Sequence, residues 1–571
     1  MPLPHPNLIT GSRFRLRALL AVSLGLILTD ALLEGASWRS RLYPEDWTPP
    51  SASSDFARDA FLQDFSHAGY ARGERAVPQS SGPLFPVLLN EDECAGRVDC
   101  TAKIQAALDE ACAKGGGVVV LPAGNLHVSA QPGASHALAI RGNGVILRGQ
   151  GASLTRLTNT TTEMKRRAVV HLGPEHQGKP NERGAVSLAA DVCGPLSSVR
   201  LASAGAFKAG DWVEVVADLT DAWIAEHAEP GWLGAGKPKD QFCYLRQVVS
   251  VADEGRLLQL DIPLRYTLKV RDGARVRPAQ SFVTESGIES LSIASLPLLK
   301  AGWGEADWNK PGTAAHDADR SQLIRLSLAR DCWVRDVESH QPMESAAAVH
   351  QHSNGIVLED CARVTLLRLR FSRAQYGGAN GNGYMYRLHG SQDCLLQDCI
   401  SDTCRHGFVF SGFGASGNVL LRCRDLRSGL QLEDGVGKPR ATAGWGSDHH
   451  MWLSHSNLVD SCEVEESAFV AMYRPHSNHF LTSAHSVFWN TAAHKPLRGF
   501  AVISQQVHYG YVIGTRGEEA RVSTISASGK GLAQTQPLDI VEGELKGDEL
   551  VPSSLYEDQL RRRLGLKPDL R

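Results

Sequence analysis

Ser327-Leu-Ala-Arg-Asp-Cys332, Ile356-Val-Leu-Glu-Asp-Cys361, Cys394-Leu-Leu-Gln-Asp-Cys399, Asn418-Val-Leu-Leu-Arg-Cys423 and Asn457-Leu-Val-Asp-Ser-Cys462 share one texture: apolar residues, a polar residue or two, then a cysteine. By subtraction, Cys332, Cys361, Cys399, Cys423 and Cys462 lie 29, 38, 24 and 39 residues apart. A constant local pattern at irregular spacing describes one structural unit with excursions of variable length. Each unit holds strands too short to bury a core alone. Stacked at the strand spacing of about 4.8 Å, successive units bury their Val, Ile, Leu and Cys as columns. A propeller would repeat at a near-fixed period with signature dipeptides, and neither is present. The reading is an all-β chain, a right-handed parallel β-helix. Asn418 and Asn457, each five residues before its cysteine, are placed for an amide ladder at a turn.

Outward from this core the chain is easily divided. Residues 99–184 carry a capping helix and the first coils, and 185–275 a small β insert. Residues 276–520 form the main β-helix, and 521–571 a C-terminal cap or tail. Ile104, Ala107, Leu108, Ala111 and Cys112 recur at helical spacing, with Asp99 or Thr101 as N-cap and Gly115 as the stop. The glycines that follow lead into Val118-Val-Val-Leu-Pro-Ala-Gly124. Helix, glycines, strand is the reverse of a dinucleotide-binding unit, so no nucleotide site is expected. Residues 37–98 read as an extended lead-in.

With 59 basic and 62 acidic side chains in 571 residues, the net charge is −3. That balance offers no bulk attraction to phosphate polymers, and nucleic acid is not an expected partner. Arg13, Arg15 and Arg17 precede an apolar run from Ala18 to Thr29. This is the arrangement of a secretory signal, with an uncleaved anchor as the alternative for residues 1–36. A secreted or periplasmic location follows, with no membrane contact beyond that anchor. Cys94 and Cys100 are candidates for a disulfide in an oxidising compartment.

Asp64-Phe-Ser-His-Ala-Gly-Tyr-Ala-Arg-Gly-Glu-Arg-Ala-Val-Pro78, followed by Thr101 to Gly124, resembles the opening of the pectate lyase superfamily. The resemblance covers about residues 60 to 520. It implies a helix-capped parallel β-helix of bacterial secreted type that acts on carbohydrate. That scaffold carries lyases, hydrolases and phage tailspikes, so the reaction must come from the site.

Thirteen of the 21 histidines fall between His340 and His508, where an even spread would place about six. The excess lies in four segments: 381–389, 405–411, 446–455 and 473–479. Stacked coils would gather these on one lateral face. The candidate catalytic residues are His406, His450, Tyr384, Arg474 and Asp448. The candidate substrate-binding residues are Asn382, Tyr386, His389, Arg405, His449, His455, Tyr473 and His476. Each also has a structural reading. His449 and His450 are adjacent, so on a strand only one faces a groove. Tyr384 and Tyr386 are sugar platforms or packing, and Asn382 among glycines is a turn former.

No metal site is assigned. HExxH is absent and carboxylates are sparse in these segments, although Ca²⁺ stays open as a cofactor. Arg405-His406-Gly407 matches the Gly-His-Gly segment of polygalacturonase-like hydrolases in part, yet their upstream Asp-Asp pair is missing. Glycosidic hydrolysis needs two carboxylates, one of them protonated. β-Elimination instead asks for groups that neutralise a uronate carboxylate, a base for its C5 proton and an acid for the leaving oxygen. His, Tyr, Arg and Asn are that inventory, and Arg405 can grip a carboxylate bidentately. The expected function is a lyase on a uronate-containing polysaccharide, acting as a monomer. A glycoside hydrolase and a non-catalytic adhesin are the alternatives.

Overall fold

The computed structural model describes residues 37–79, 82–175, 178, 180, 182–233, 237–238, 240–475, 479–517, 519–525 and 535–567. The signal or anchor expected at residues 1–36 lies outside the described residues. No helix among the described residues is long and apolar enough to cross a membrane.

The chain is a right-handed parallel β-helix whose coils present three ladders. In the first, Trp333 pairs with Thr365, Thr365 with Leu395, Leu395 with Val419 and Val419 with Leu458. The second stacks Arg370, Ile400, Arg424 and Glu463. The third is a ten-stranded sheet from His136–Ile140 to Val522–Ser523. By subtraction along the first ladder, successive coils take 32, 30, 24 and 39 residues. Parallel stacking tolerates this because only strand faces must match, and the excess runs out into loops.

The repeat is real, but its cysteines are not equivalent. Cys332 and Cys394 precede paired residues of the first ladder, whereas Cys399, Cys423 and Cys462 precede the second. Cys361 lies beside a third column, that of Arg330, Ala362 and Gln392. A polar residue followed by an inward thiol suits more than one corner of the coil, so the motif recurs out of phase. These six thiols are buried in the core with Leu366, Leu396, Leu420 and Phe371. The amide ladder is present: Asn418 Nδ2 donates to Asn457 Oδ1 at 2.9 Å, and Cys394 N donates to Asn418 Oδ1 at 3.0 Å.

Helix Thr101–Ala113 closes the N-terminal end by placing Ile104, Leu108 and Ala111 on the first coils. Its N-cap position is Cys100, while Asp99 accepts from Thr101 N at 2.9 Å. Cys94 and Cys100 are both free thiols, which corrects the expected disulfide. The Cys100 thiol donates instead to His127 O at 3.1 Å.

Two coverings pack on the coils and leave side chains of the second and third ladders, such as Arg370, Arg424, Arg387 and His450, at least partly exposed. Helix Leu555–Arg563 and the lead-in pack on the first ladder through Tyr43, Phe65, Trp489, Tyr511 and Tyr556. The terminal helix therefore lies along a flank, while Val522–Ser523 and Ile540–Glu542 add the last strands at the C-terminal end. A six-stranded antiparallel sheet between Val186 and Pro278 covers one corner of the helix. It is docked by a buried ion cluster: Arg265 Nη2 and Arg246 Nη1 donate to Asp393 at 2.8 and 3.2 Å. All three side chains are at most 2% exposed. Burial opposes ionisation of Asp393, but the two guanidinium groups win and hold its pKa below the usual carboxylate range.

Candidate active site

The third ladder aligns strands Tyr384–His389, His406–Ser411 and Ser447–Met451, with Tyr384 opposite His406. Between the last two strands the register slips. Phe410 faces His449 and Ser411 faces Met451, so His450 is an unpaired extra residue. Such a bulge re-aims a side chain. His449 turns inward between Phe410 and Phe488, and Asp448 and His450 turn toward each other.

A hydrogen-bonded chain results. Arg474 Nη2 donates to both oxygens of Asp448 at 2.9 Å, and His450 Nδ1 lies 2.6 Å from Asp448 Oδ2. His450 Nε2 is 2.9 Å from the Tyr384 hydroxyl and 3.0 Å from His479 Nε2. Because Asp448 is acceptor-only, it holds the proton on Nδ1 and leaves the Nε2 lone pair facing Tyr384. The His406 ring stands 5.0 Å from those of Tyr384 and His450. Its Nδ1 bonds to Gly446 O at 2.9 Å, and its buried Nε2 has no partner. A side chain at Gly444 would come within 2.6 Å of that nitrogen, so only glycine can pack against it there.

Burial would raise the Asp448 pKa, but Arg474 and His450 hold it far below the usual range. His450 is lowered by burial, against the pull of Asp448. His406 is pushed well below its ordinary value by burial and then by His450. Burial also raises the Tyr384 phenol, against the opposing charges of Arg405 and Arg387. The cluster thus holds one carboxylate anion, neutral imidazoles and a neutral phenol. It opens to solvent through His450 and Arg474, whose side chains are 15% and 21% exposed.

Several expected binding residues stand elsewhere. Tyr386 is fully buried, stacked on Phe408 with its hydroxyl on Ile400 O at 2.9 Å, so it is no sugar platform. Tyr384 is the first residue of its strand, at a corner where alternation does not yet govern direction. Asn382 is buried and staples a turn, donating to Asp319 at 3.0 Å and accepting from Arg320 N at 2.7 Å. His449 is core, its pKa pushed down to about 4 by burial. His455 lies under the insert with Nε2 on the Tyr244 hydroxyl at 2.6 Å. Arg405 Nη1 donates to Glu305 at 2.7 Å and to Gly377 O at 2.9 Å, while its buried Nε has no partner. His389, at the far end of its strand, bonds to Ser411 Oγ at 3.1 Å. Tyr473 pairs with Glu229. His476 lies outside the described residues.

Two residues of the cluster were not picked from the sequence. His479 is in the quoted 473–479 segment, and no spacing rule separates it from His476. Arg387 lies two positions before His389 on the same strand, with its guanidinium carbon 6.0 Å from the centre of the Tyr384 ring.

Ring nitrogens of His406 and His450 and an oxygen of Asp448 lie within 4.8 Å of one another, enough to suggest a metal. The donor set fits poorly. Both Asp448 oxygens are engaged by Arg474, one also by His450 Nδ1, and a guanidinium beside the site repels a cation. A larger cavity of about 810 Å³ lies between the insert and the coils, lined by Glu214, Asp240, Arg277 and Asp360 among others. It contains none of the clustered histidines.

No protein-family model matches the chain, and no curated protein matches it in sequence. Among solved structures it is similar to the Gp54 tailspike of Acinetobacter baumannii bacteriophage AP22, solved with a capsular saccharide. That match has 10% identity and a TM-score of 0.40, covering 77% of this chain and 66% of that one. The A-module of Azotobacter vinelandii mannuronan C-5 epimerase matches at 11% identity and TM-score 0.33, over 81% of this chain and 100% of that one. A tailspike variant of E. coli bacteriophage HK620, solved with a pentasaccharide, matches at 12% and 0.38, over 79% and 62%.

Proposed function

We propose that the chain is a polysaccharide lyase that cleaves a uronate-containing polymer by β-elimination. The Asp448–His450–Tyr384 chain carries this reading: it sets a neutral imidazole acceptor 2.9 Å from a phenol donor, with a fixed carboxylate behind.

In the proposed reaction His450 Nε2 takes the C5 proton of the uronate. The electron pair forms the C4=C5 double bond as the C4–O bond breaks, and the Tyr384 hydroxyl protonates the leaving oxygen. The imidazolium formed on His450 is stabilised by Asp448. It then returns its proton to the tyrosinate through their shared hydrogen bond, which restores the starting state. Both groups approach from one side of the ring, so the elimination is syn. Arg387 stands beside Tyr384 to neutralise the carboxylate on C5. General acid–base help of this kind supplies about 10²–10⁴ in rate, and a charge-stabilising donor about 10²–10³.

Hydrolysis fits less well. Asp448 is held ionised by Arg474, so it has no proton to donate as the general acid. Incubation with a panel of uronate polymers tests the proposal. Ultraviolet-absorbing unsaturated ends support it, whereas new reducing ends without that absorbance favour hydrolysis. Binding without cleavage favours an adhesin.

A further inference from the structure

The β insert reaches the cluster by one corner. Thr220 caps helix Asp221–Glu226, accepting from Trp223 N at 3.1 Å, and the next turn is closed by Trp232 N donating to Glu229 O at 3.1 Å. Trp232 is fully buried, with its ring 5.9 Å from Trp223 of the insert. The same ring stands 5.7 Å from Phe413 and 6.2 Å from Phe480, both on the coils, so it is a wedge between the two parts. Gly231 completes the fit. A β-carbon there would lie 2.2 Å from Phe480 Cε1, so the Phe480 ring rests directly on the glycine. Glu229, only 3% exposed, accepts from the Tyr473 hydroxyl.

Both contacts fall beside groups of the cluster. Tyr473 precedes Arg474, and Phe480 follows His479. Arg474 and Phe480 form an antiparallel bridge, in which Arg474 N donates to Phe480 O at 3.0 Å. Arg474 Nη2 donates to both oxygens of Asp448 at 2.9 Å, and its Nη1 donates to His450 O at 3.1 Å. The His479 ring stands 4.5 Å from that of His450. Phe480 has φ +49°, in the left-handed region, where a bulky residue needs its packing to hold it. A lone antiparallel pairing does not keep its shape in water, so the place of Arg474 depends on what covers Tyr473 and Phe480.

We infer that the insert belongs to the catalytic apparatus: Glu229, Gly231 and Trp232 are positioning residues that hold Arg474 and His479 against Asp448 and His450. They act through Tyr473 and Phe480 and need not touch substrate. The inference rests on the reading of His450 as the base, and adds that the insert must be docked for turnover. The groups facing His450 are Asp448, Arg474, Tyr384, His406, His479 and Arg387. Burial lowers the His450 pKa, Asp448 pulls it up, and Arg474 and Arg387 push it down. Withdrawing Arg474 leaves the Asp448 anion beside the imidazole, so the pKa of His450 should rise.

Gly231→Ala displaces the Phe480 ring, and Tyr473→Phe removes the bond to Glu229. Each should lower kcat about tenfold and leave KM within about twofold, because reacting groups are misplaced while substrate contacts stay. The acid limb of the pH profile should move up in both. Glu229→Ala should behave alike, whereas Glu229→Gln keeps an acceptor for the phenol and should retain most of the activity. Arg200→Gln, on the edge strand Ser198–Arg200 of the same sheet, should change nothing. Carbon-13 spectra of the full chain with ring-labelled histidine read the shift at His450 without turnover. Hydrogen exchange over residues 186–278 establishes that the insert is folded in every variant. The inference is overturned if Gly231→Ala and Tyr473→Phe keep wild-type kcat and an unmoved acid limb, if the loss lies in KM alone, or if Arg200→Gln loses as much. A raised His450 pKa in the two variants, in a chain that forms no unsaturated product, keeps the positioning role and removes the lyase. Unsaturated product released by both at the wild-type rate keeps the lyase and removes the positioning role.

Discussion

Asp448 and His450 sit two residues apart on one strand and hydrogen-bond to each other at 2.6 Å, while His449 between them packs on Phe410 and Phe488. The bulge at His450 makes this possible, because it frees the imidazole from the ladder and turns it toward its neighbour's carboxylate. Everything proposed about catalysis depends on that local geometry.

His406→Ala should lower turnover at least tenfold, because its ring packs on those of Tyr384 and His450, and should lower the thermal transition as well, because the buried Nδ1 bond to Gly446 O is lost. Steady-state kinetics beside a thermal melt checks this. Wild-type kcat/KM in the variant would remove His406 from the site.

Activity should fall on the acid side as His450 gains a proton. Its pKa is lowered, so the limb lies below the ordinary histidine value of about 6.5. The alkaline limb should lie above the ordinary tyrosine value of about 10, because burial raises Tyr384. A pH profile of kcat/KM measures both limbs. An acid limb above neutrality would contradict the assigned base.

Stability should decline as pH falls below about 6.5, well before carboxylates titrate. His171, His340, His389, His455 and His479 have folded pKa values pushed down to about 3, chiefly by burial. Between those values and the unfolded value the unfolded chain binds more protons, so each such histidine contributes a slope of about 1.4 kcal/mol per pH unit. Chemical denaturation at several pH values reads the slope directly. A flat profile from neutrality to pH about 4 would show that these imidazoles are not held neutral in the fold.

Asp393→Ala should cost about 3–5 kcal/mol, since it leaves Arg246 and Arg265 buried without their shared partner. The loss should show as loosening of the insert, detectable by hydrogen exchange over residues 186–278. Full protection of that sheet in the variant would mean the ion cluster does not dock it.

Cys399→Ser should cost about 1–3 kcal/mol by placing a hydroxyl in an apolar column, with activity per folded molecule unchanged. The Cys399 thiol lies 3.4 and 3.5 Å from the Gln397 and Leu366 carbonyls, which soften the change. Lost activity at unchanged stability would argue against the structural role.

The fold was legible because repetition leaves a trace: short apolar strands and inward cysteines recur whatever the loops do. The phase was less legible. An Asp-Cys corner before Cys332 and another before Cys399 look alike in sequence but belong to different ladders. Within the cluster, Tyr384, His406, Asp448, His450 and Arg474 all lie in segments marked by their histidines. Tyr386, Asn382, His449 and His455 lie in those segments too but pack or hydrogen-bond away from the cluster. Composition alone cannot show which side of a strand faces out when a corner or a bulge interrupts alternation. The pairing of Arg405 with Glu305 was not legible either, because Glu305 stands 100 residues earlier, in a loop that no local pattern links to it.

The central claim is tested most directly by following the absorbance of the new double bond during digestion of polyuronates by wild type, His450→Gln and Tyr384→Phe. The account predicts unsaturated product from wild type, and rates at least about 100-fold lower in both variants at unchanged thermal stability. Rapid release of unsaturated product by either variant, or cleavage by wild type that produces only saturated ends, would contradict it.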